Sequence, residues 1–113
     1  MPSNKKQLES ALRKFRRLAD AAYQDDAVME KWELAWWLHE NTVKGRKRSK
    51  YEISIADLGP ISPYGKHALH QMRIVGEEFS REEVETLKKP YSVWTAFKLL
   101  YGRRQSLPGE QAA

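Results

Sequence analysis

The stretch ISIADLGPISPYGKHALHQMRIV, Ile53 to Val75, decides the fold. Ser54 stands where it can cap a short helix, Ile55 to Leu58, and Asp57 completes a reciprocal capping box three residues later. Tyr51 to Ile55 (YEISI) alternates apolar and polar residues as a strand would. One short strand has no partner in this chain, so the segment reads as an extended entry into the helix. Gly59 suits the left-handed C′ position, Pro60 blocks continuation, and Ile61 can plug the corner. Ser62 then caps a second helix with Pro63 at its first position, running to about Val75. At 100° per residue, Leu69 and Met72 form one face, flanked by Gly65, Ala68, Val75 and Gly76. Gly65 is expected to let this helix approach its neighbour closely. Lys66, His67, His70, Arg73 and Ile74 fall on the opposite face.

Just upstream lies VKGRKRSK, Val43 to Lys50. Lys44, Arg46, Lys47, Arg48 and Lys50 carry five charges with no acid among them, and the whole chain has a net charge of +5. The rest of the chain therefore nets to about zero. Like charges this dense repel, so the segment is expected to be exposed and mobile until something anionic neutralises it. Gly45 suits the exit from the preceding helix. A positive run of this density favours a polyanionic partner, because its side chains displace counterions from phosphates.

Further out, the chain reads as helices separated by caps and breakers. Ser3 or Asn4 caps a first helix to about Tyr23, with a stripe of Leu8, Ala11, Leu12, Phe15, Leu18, Ala19 and Ala22. Arg13, Lys14, Arg16 and Arg17 lie mostly off that stripe. They suit a solvated face, a second phosphate-contacting surface or a dimerisation helix. Asp25 or Asp26 can cap a second helix, about Ala27 to Asn41, whose wide apolar arc includes Trp32, Trp36 and Trp37. This reads as the central core helix, with one of Trp36 and Trp37 free to point outward. Ser80 and Glu83 form another capping box, opening a helix that ends near Lys88. Ser92 caps a last helix, Val93 to Tyr101. The fold class that follows is all-α: a compact bundle of five to six helices in one domain, residues 1–102, with a flexible tail at 103–113.

Composition excludes several chemistries. There is no cysteine, hence no disulfide and no thiol catalysis. No apolar run approaches the roughly 18 residues of a membrane span, and MPSNKKQLES lacks the apolar region of a signal peptide. The expected setting is cytoplasmic and nucleoid-associated. His67 and His70 sit at i and i+3 but lack a third ligand at metal spacing, and His39 reads as a core-edge residue. The glycines lack P-loop spacing, and no serine sits on a nucleophile elbow. The expectation is a protein that is not an enzyme and needs neither metal nor cofactor.

The 53–76 segment resembles the helix-turn-helix DNA-binding superfamily, in the small forms common among phage, plasmid and bacterial regulators. The resemblance covers about 23 residues and rests on Ile55 and Ala56 in the first helix, Gly59 in the turn, and Ile61-Ser62 opening the second helix. The family usually has a hydrophobic residue about six positions after the turn glycine; here Gly65 stands there, which implies a turn longer by a residue or so. The resemblance implies sequence-specific binding of double-stranded DNA, with Ser62, Tyr64, Lys66, His67 and His70 facing the duplex and Arg73 beside them. Arg46, Lys47, Arg48 and Lys50 would hold phosphates, and a homodimer is expected because one short unit rarely suffices. The alternative from another class is a protein-interaction module that binds its partner through Trp32, Trp36 and Trp37.

Overall fold

Among the described residues five helices are laid down in chain order: α1 Lys5–Ala22, α2 Val28–Asn41, α3 Ile55–Leu58, α4 Lys66–Glu78 and α5 Arg81–Thr86. The computed structural model describes residues 2–24 and 27–86. The expected caps at Asp25 and Asp26, the helix from Val93 and the tail at 103–113 lie outside the described residues. Among the described residues there is no strand, and the architecture is an all-α bundle.

Helix α1 starts where its cap predicts. The Asn4 side chain accepts from the Gln7 amide at 2.9 Å. Its apolar stripe buries Phe15, Ala19 and Ala22. Helix α2 is apolar on most of its circumference because it has neighbours on several sides: it packs against α1, α4 and α5. Leu34, Ala35, Trp37 and Leu38 are buried there, and the Phe15 ring meets Trp37 at 5.6 Å between centroids. The last carbonyls of α2 are satisfied locally, Leu38 by the Thr42 hydroxyl and Trp37 by the Asn41 amide.

Residues 42–54 are extended or turned rather than helical. One backbone bond, Val43 N–H to Ile53 C=O at 2.9 Å, pins the two ends of this loop together. Gly45 adopts φ 67°, inside the loop rather than at the exit from α2, which Thr42 terminates in an extended conformation. The Ser54–Asp57 capping box forms as read from the sequence: Asp57 N–H donates to Ser54 Oγ, and Ser54 N–H donates to Asp57 Oδ2.

The start of α4 differs from the expectation. Gly59 is right-handed (φ −50°, ψ −50°) and begins a single 3-10 turn, Gly59–Ile61, instead of a left-handed stop. The helix begins at Lys66 with Gly65 as its N-cap, so Ser62 and Pro63 do not open it. The reason is local. The Ser62 hydroxyl closes a tight turn on Tyr64, donating to its carbonyl at 2.6 Å and accepting from its N–H at 3.1 Å. The link from Gly59 to Gly65 is about twice the 3–4-residue turn of a tight helix-turn-helix.

Helix α4 buries Leu69, Met72, Val75 and Gly76 against α2. The close approach expected at Gly65 occurs at Gly76 instead. A Cβ on Gly76 would lie 2.3 Å from the Ala35 carbonyl oxygen, whereas a Cβ on Gly65 meets nothing within 4 Å. Helix α5 starts on the Ser80–Glu83 capping box and inserts Val84 into the core.

Candidate nucleic-acid interface

With its apolar face on α2, α4 turns Lys66, His67 and Gln71 outward, exposed to solvent. His70 is half-buried on the same side. Burial holds the His70 imidazole below its ordinary pKa, and the nearby charges of Arg73 and Lys66, with His67, push in the same direction. Arg73, expected on the outer face, leans toward the loop: it donates to the Val43 carbonyl at 3.1 Å, and its Nε is buried with no hydrogen-bond partner among the described residues. It fastens the loop's first residues to α4. Lys44 and Glu77 make a second link between loop and helix at 3.9 Å.

Tyr64 is the clearest displacement from the expected outer surface. It is 9 % exposed, and its hydroxyl donates to the Ala22 carbonyl at 2.9 Å. Tyr23 packs edge-on against its ring at 5.2 Å. Burial pushes the phenol up to about 12, with the neighbouring Tyr23 adding to the shift. Ser62 is half-buried and engaged with Tyr64's backbone. The presentable part of α4 therefore reduces to Lys66, His67, His70 and Gln71.

The basic loop is exposed as expected, but it is not a run of unpaired cations. Its partners lie just outside the run, which is why counting charges within 44–50 missed them. Arg46 grips Glu52 through both guanidinium nitrogens, at 2.7 and 2.6 Å. That fork, together with the Ser49 amide and hydroxyl, holds the Glu52 carboxyl well below the usual carboxylate range. Arg48 pairs with Asp57 at 2.7 Å, bridging the loop to α3. Lys44 also contacts the His39 ring. Among the described residues, Lys47 and Lys50 are the loop's cations without a carboxylate partner; Lys50 lies over the Tyr51 ring at 5.2 Å.

One further feature escaped the sequence. Lys31 is 6 % exposed and donates to the carbonyls of Ala22 and Gln24, placing a positive charge on the C-terminal end of α1. A lysine within an apolar helix gives no local sign of such a role. The tryptophan surface follows the expectation that one of Trp36 and Trp37 points outward. Trp37 is buried, but Trp36 is 41 % exposed and stacks on Trp32 at 5.9 Å with an interplanar angle of 8°. Arg81 covers Trp32 at 6.0 Å. These rings, with Lys14, Glu33 and Glu40, line a groove of about 450 Å³.

No group of three His, Asp or Glu able to hold a metal ion occurs among the described residues, and no described helix is long and apolar enough to cross a membrane. Comparison of the chain with protein-family models, curated proteins and solved structures finds no match.

Proposed function

We propose that this protein binds double-stranded DNA as a non-enzymatic regulator or a factor of similar kind, with α3 and α4 acting as a helix-turn-helix of lengthened turn. The observation that carries the reading is the outward N-terminal half of α4. Lys66, His67, His70 and Gln71 offer hydrogen-bonding groups to base edges from one helix of major-groove diameter. The loop lies alongside that helix through Arg73–Val43 and Lys44–Glu77, so Lys47 and Lys50 can reach phosphates while α4 enters the groove. A homodimer would double this modest contact set.

The test is a gel-shift titration with a random duplex of about 30 base pairs at two salt concentrations, followed by selection of a preferred site. Affinity should fall steeply with salt, since each neutralised phosphate contributes a slope of about −0.9. Lys66→Ala should cost about 1–3 kcal/mol on the selected site and far less on random sequence. Equal losses on both sequences would remove α4 from base recognition. The Trp36 surface supports a second reading, a partner protein seated in the tryptophan groove. No duplex shift at low salt, with a protein partner retained by the wild type and released by Trp36→Ala, would favour that reading over α4.

A further inference from the structure

The densest basic stretch of the sequence is not where the unbalanced charge lies. Three of the five loop cations face carboxylates: Lys44 with Glu77, Arg46 with Glu52 and Arg48 with Asp57. Helix α1 is the reverse. Lys5, Lys6, Arg13, Lys14, Arg16 and Arg17 are all exposed, and none makes a salt bridge with a carboxylate among the described residues. The helix's own acids are Glu9 and Asp20 alone, which leaves it a surplus of positive charge.

These cations are also arranged. At 100° per residue, Lys6, Arg13 and Arg17 fall within about 40° of one another, diametrically opposite the buried Phe15. With a rise of 1.5 Å per residue they run about 16 Å along the helix, close to five base-pair steps of 3.4 Å. Arg16 stands on the flank nearest the loop. Arg16, Arg48 and Lys50 rim the same slot of about 280 Å³, which Leu12 and Ile53 also line, together with Glu52 and Asp57, the carboxylates that pair with Arg46 and Arg48. Through Arg16 the basic side of α1 adjoins Lys50, the cation of this slot's loop wall without a carboxylate partner among the described residues.

We propose that the outer face of α1, Lys6, Arg13 and Arg17 with Arg16 at the seam, is the main phosphate-binding surface for duplex DNA. The loop serves chiefly as a self-neutralised brace that holds Lys50 in line with it. This rests on the DNA-binding reading above. The physical reason is that a fork between Arg46 and Glu52 contributes almost no net charge, so it displaces few counterions. An unpaired cation on a rigid helix displaces about one and needs no partner broken first.

The experiment compares the 113-residue chain with three double variants on random duplex across a salt series. Arg13→Gln/Arg17→Gln should lower affinity at least tenfold and reduce the slope of log affinity against log salt by about 1.8. Arg46→Gln/Glu52→Gln removes a pair without changing net charge and should leave both quantities within about twofold. Arg13→Lys/Arg17→Lys should retain binding, and circular dichroism melts should show all three variants folded. If the wild type binds while the α1 variant matches it and the pair variant fails, phosphate is gripped by the loop. The proposal is then overturned and the DNA-binding reading stands. If the wild type gives no salt-sensitive shift at all, the reading fails and takes the proposal with it.

Discussion

Gly76 sets how closely α2 and α4 can lie. Its missing side chain leaves room for the Ala35 carbonyl, which a Cβ would approach to 2.3 Å. The obstacle is backbone, so neither a rotamer change nor a flexible side chain can relieve it. Gly76→Ala should destabilise the fold by about 3 kcal/mol, because α4 must shift along α2 and Leu69 and Met72 move with it. Gly65→Ala, which meets open space, should cost less than about 1 kcal/mol. Paired thermal melts check this. Equal losses at the two positions would mean that the close approach is not where the packing resists change. Both glycines flank or interrupt the same helical stripe in the sequence, and periodicity cannot distinguish them. Which one faces a neighbouring backbone depends on how the two helices cross.

At the scale of the element, the 42–54 loop owes its shape to ion pairs rather than to regular backbone hydrogen bonding. Glu52 anchors it, accepting from Arg46, the Ser49 amide and the Ser49 hydroxyl at once. These bonds favour the carboxylate, so its folded pKa is depressed below the ordinary 4.5. The sign follows: the stabilisation is present above about pH 4.5 and is lost as pH falls through the folded value. Carbon-detected NMR should find Glu52 titrating below the ordinary 4.5, and Arg46→Gln should move it back toward that value. Normal titration of Glu52 in the wild type would mean the fork does not persist in solution. The acid was visible in the sequence, and so were the cations. Their pairing was not, because it requires the loop to fold back on itself so that residue 46 meets residue 52.

Across the whole molecule, the Ala22 carbonyl is where three parts of the fold are tied together. It closes α1, accepts from Lys31 of α2, and accepts from the Tyr64 hydroxyl in the link that leads to α4. Tyr64→Phe leaves the Lys31 bond in place and should cost about 1 kcal/mol. It should also change the alkaline behaviour. The folded Tyr64 keeps its proton to about 12, whereas the unfolded chain releases it near 10.0. Over that interval the folded state holds a proton that the unfolded state has lost. Stability is therefore complete below pH 10 and declines as pH rises toward 12. The melting temperature of the wild type should fall across this window by more than that of Tyr64→Phe. Parallel declines would mean that Tyr64 titrates normally and does not reach into the core.

The sequence by itself determined what depends on neighbours along the chain. A first cap at Ser3 or Asn4, both capping boxes, the α1 stripe and the all-α class follow from spacings of three and four residues, and so does the core face of α4 through Leu69 and Met72. Those features belong to single helices and their first turns, where local geometry leaves one choice. Only the tertiary structure decided what depends on contacts between distant residues. Tyr64 turns inward because Ala22, 42 positions away, offers an acceptor. Trp36 faces out and Trp37 in because three helices surround α2 and leave one side uncovered. The loop is largely neutralised because Glu52, Asp57 and Glu77 are brought onto it, whereas among the described residues no salt bridge joins a carboxylate to the cations of α1. Charge in a sequence is a count, but charge at a surface is what remains after the chain has folded its own ions together.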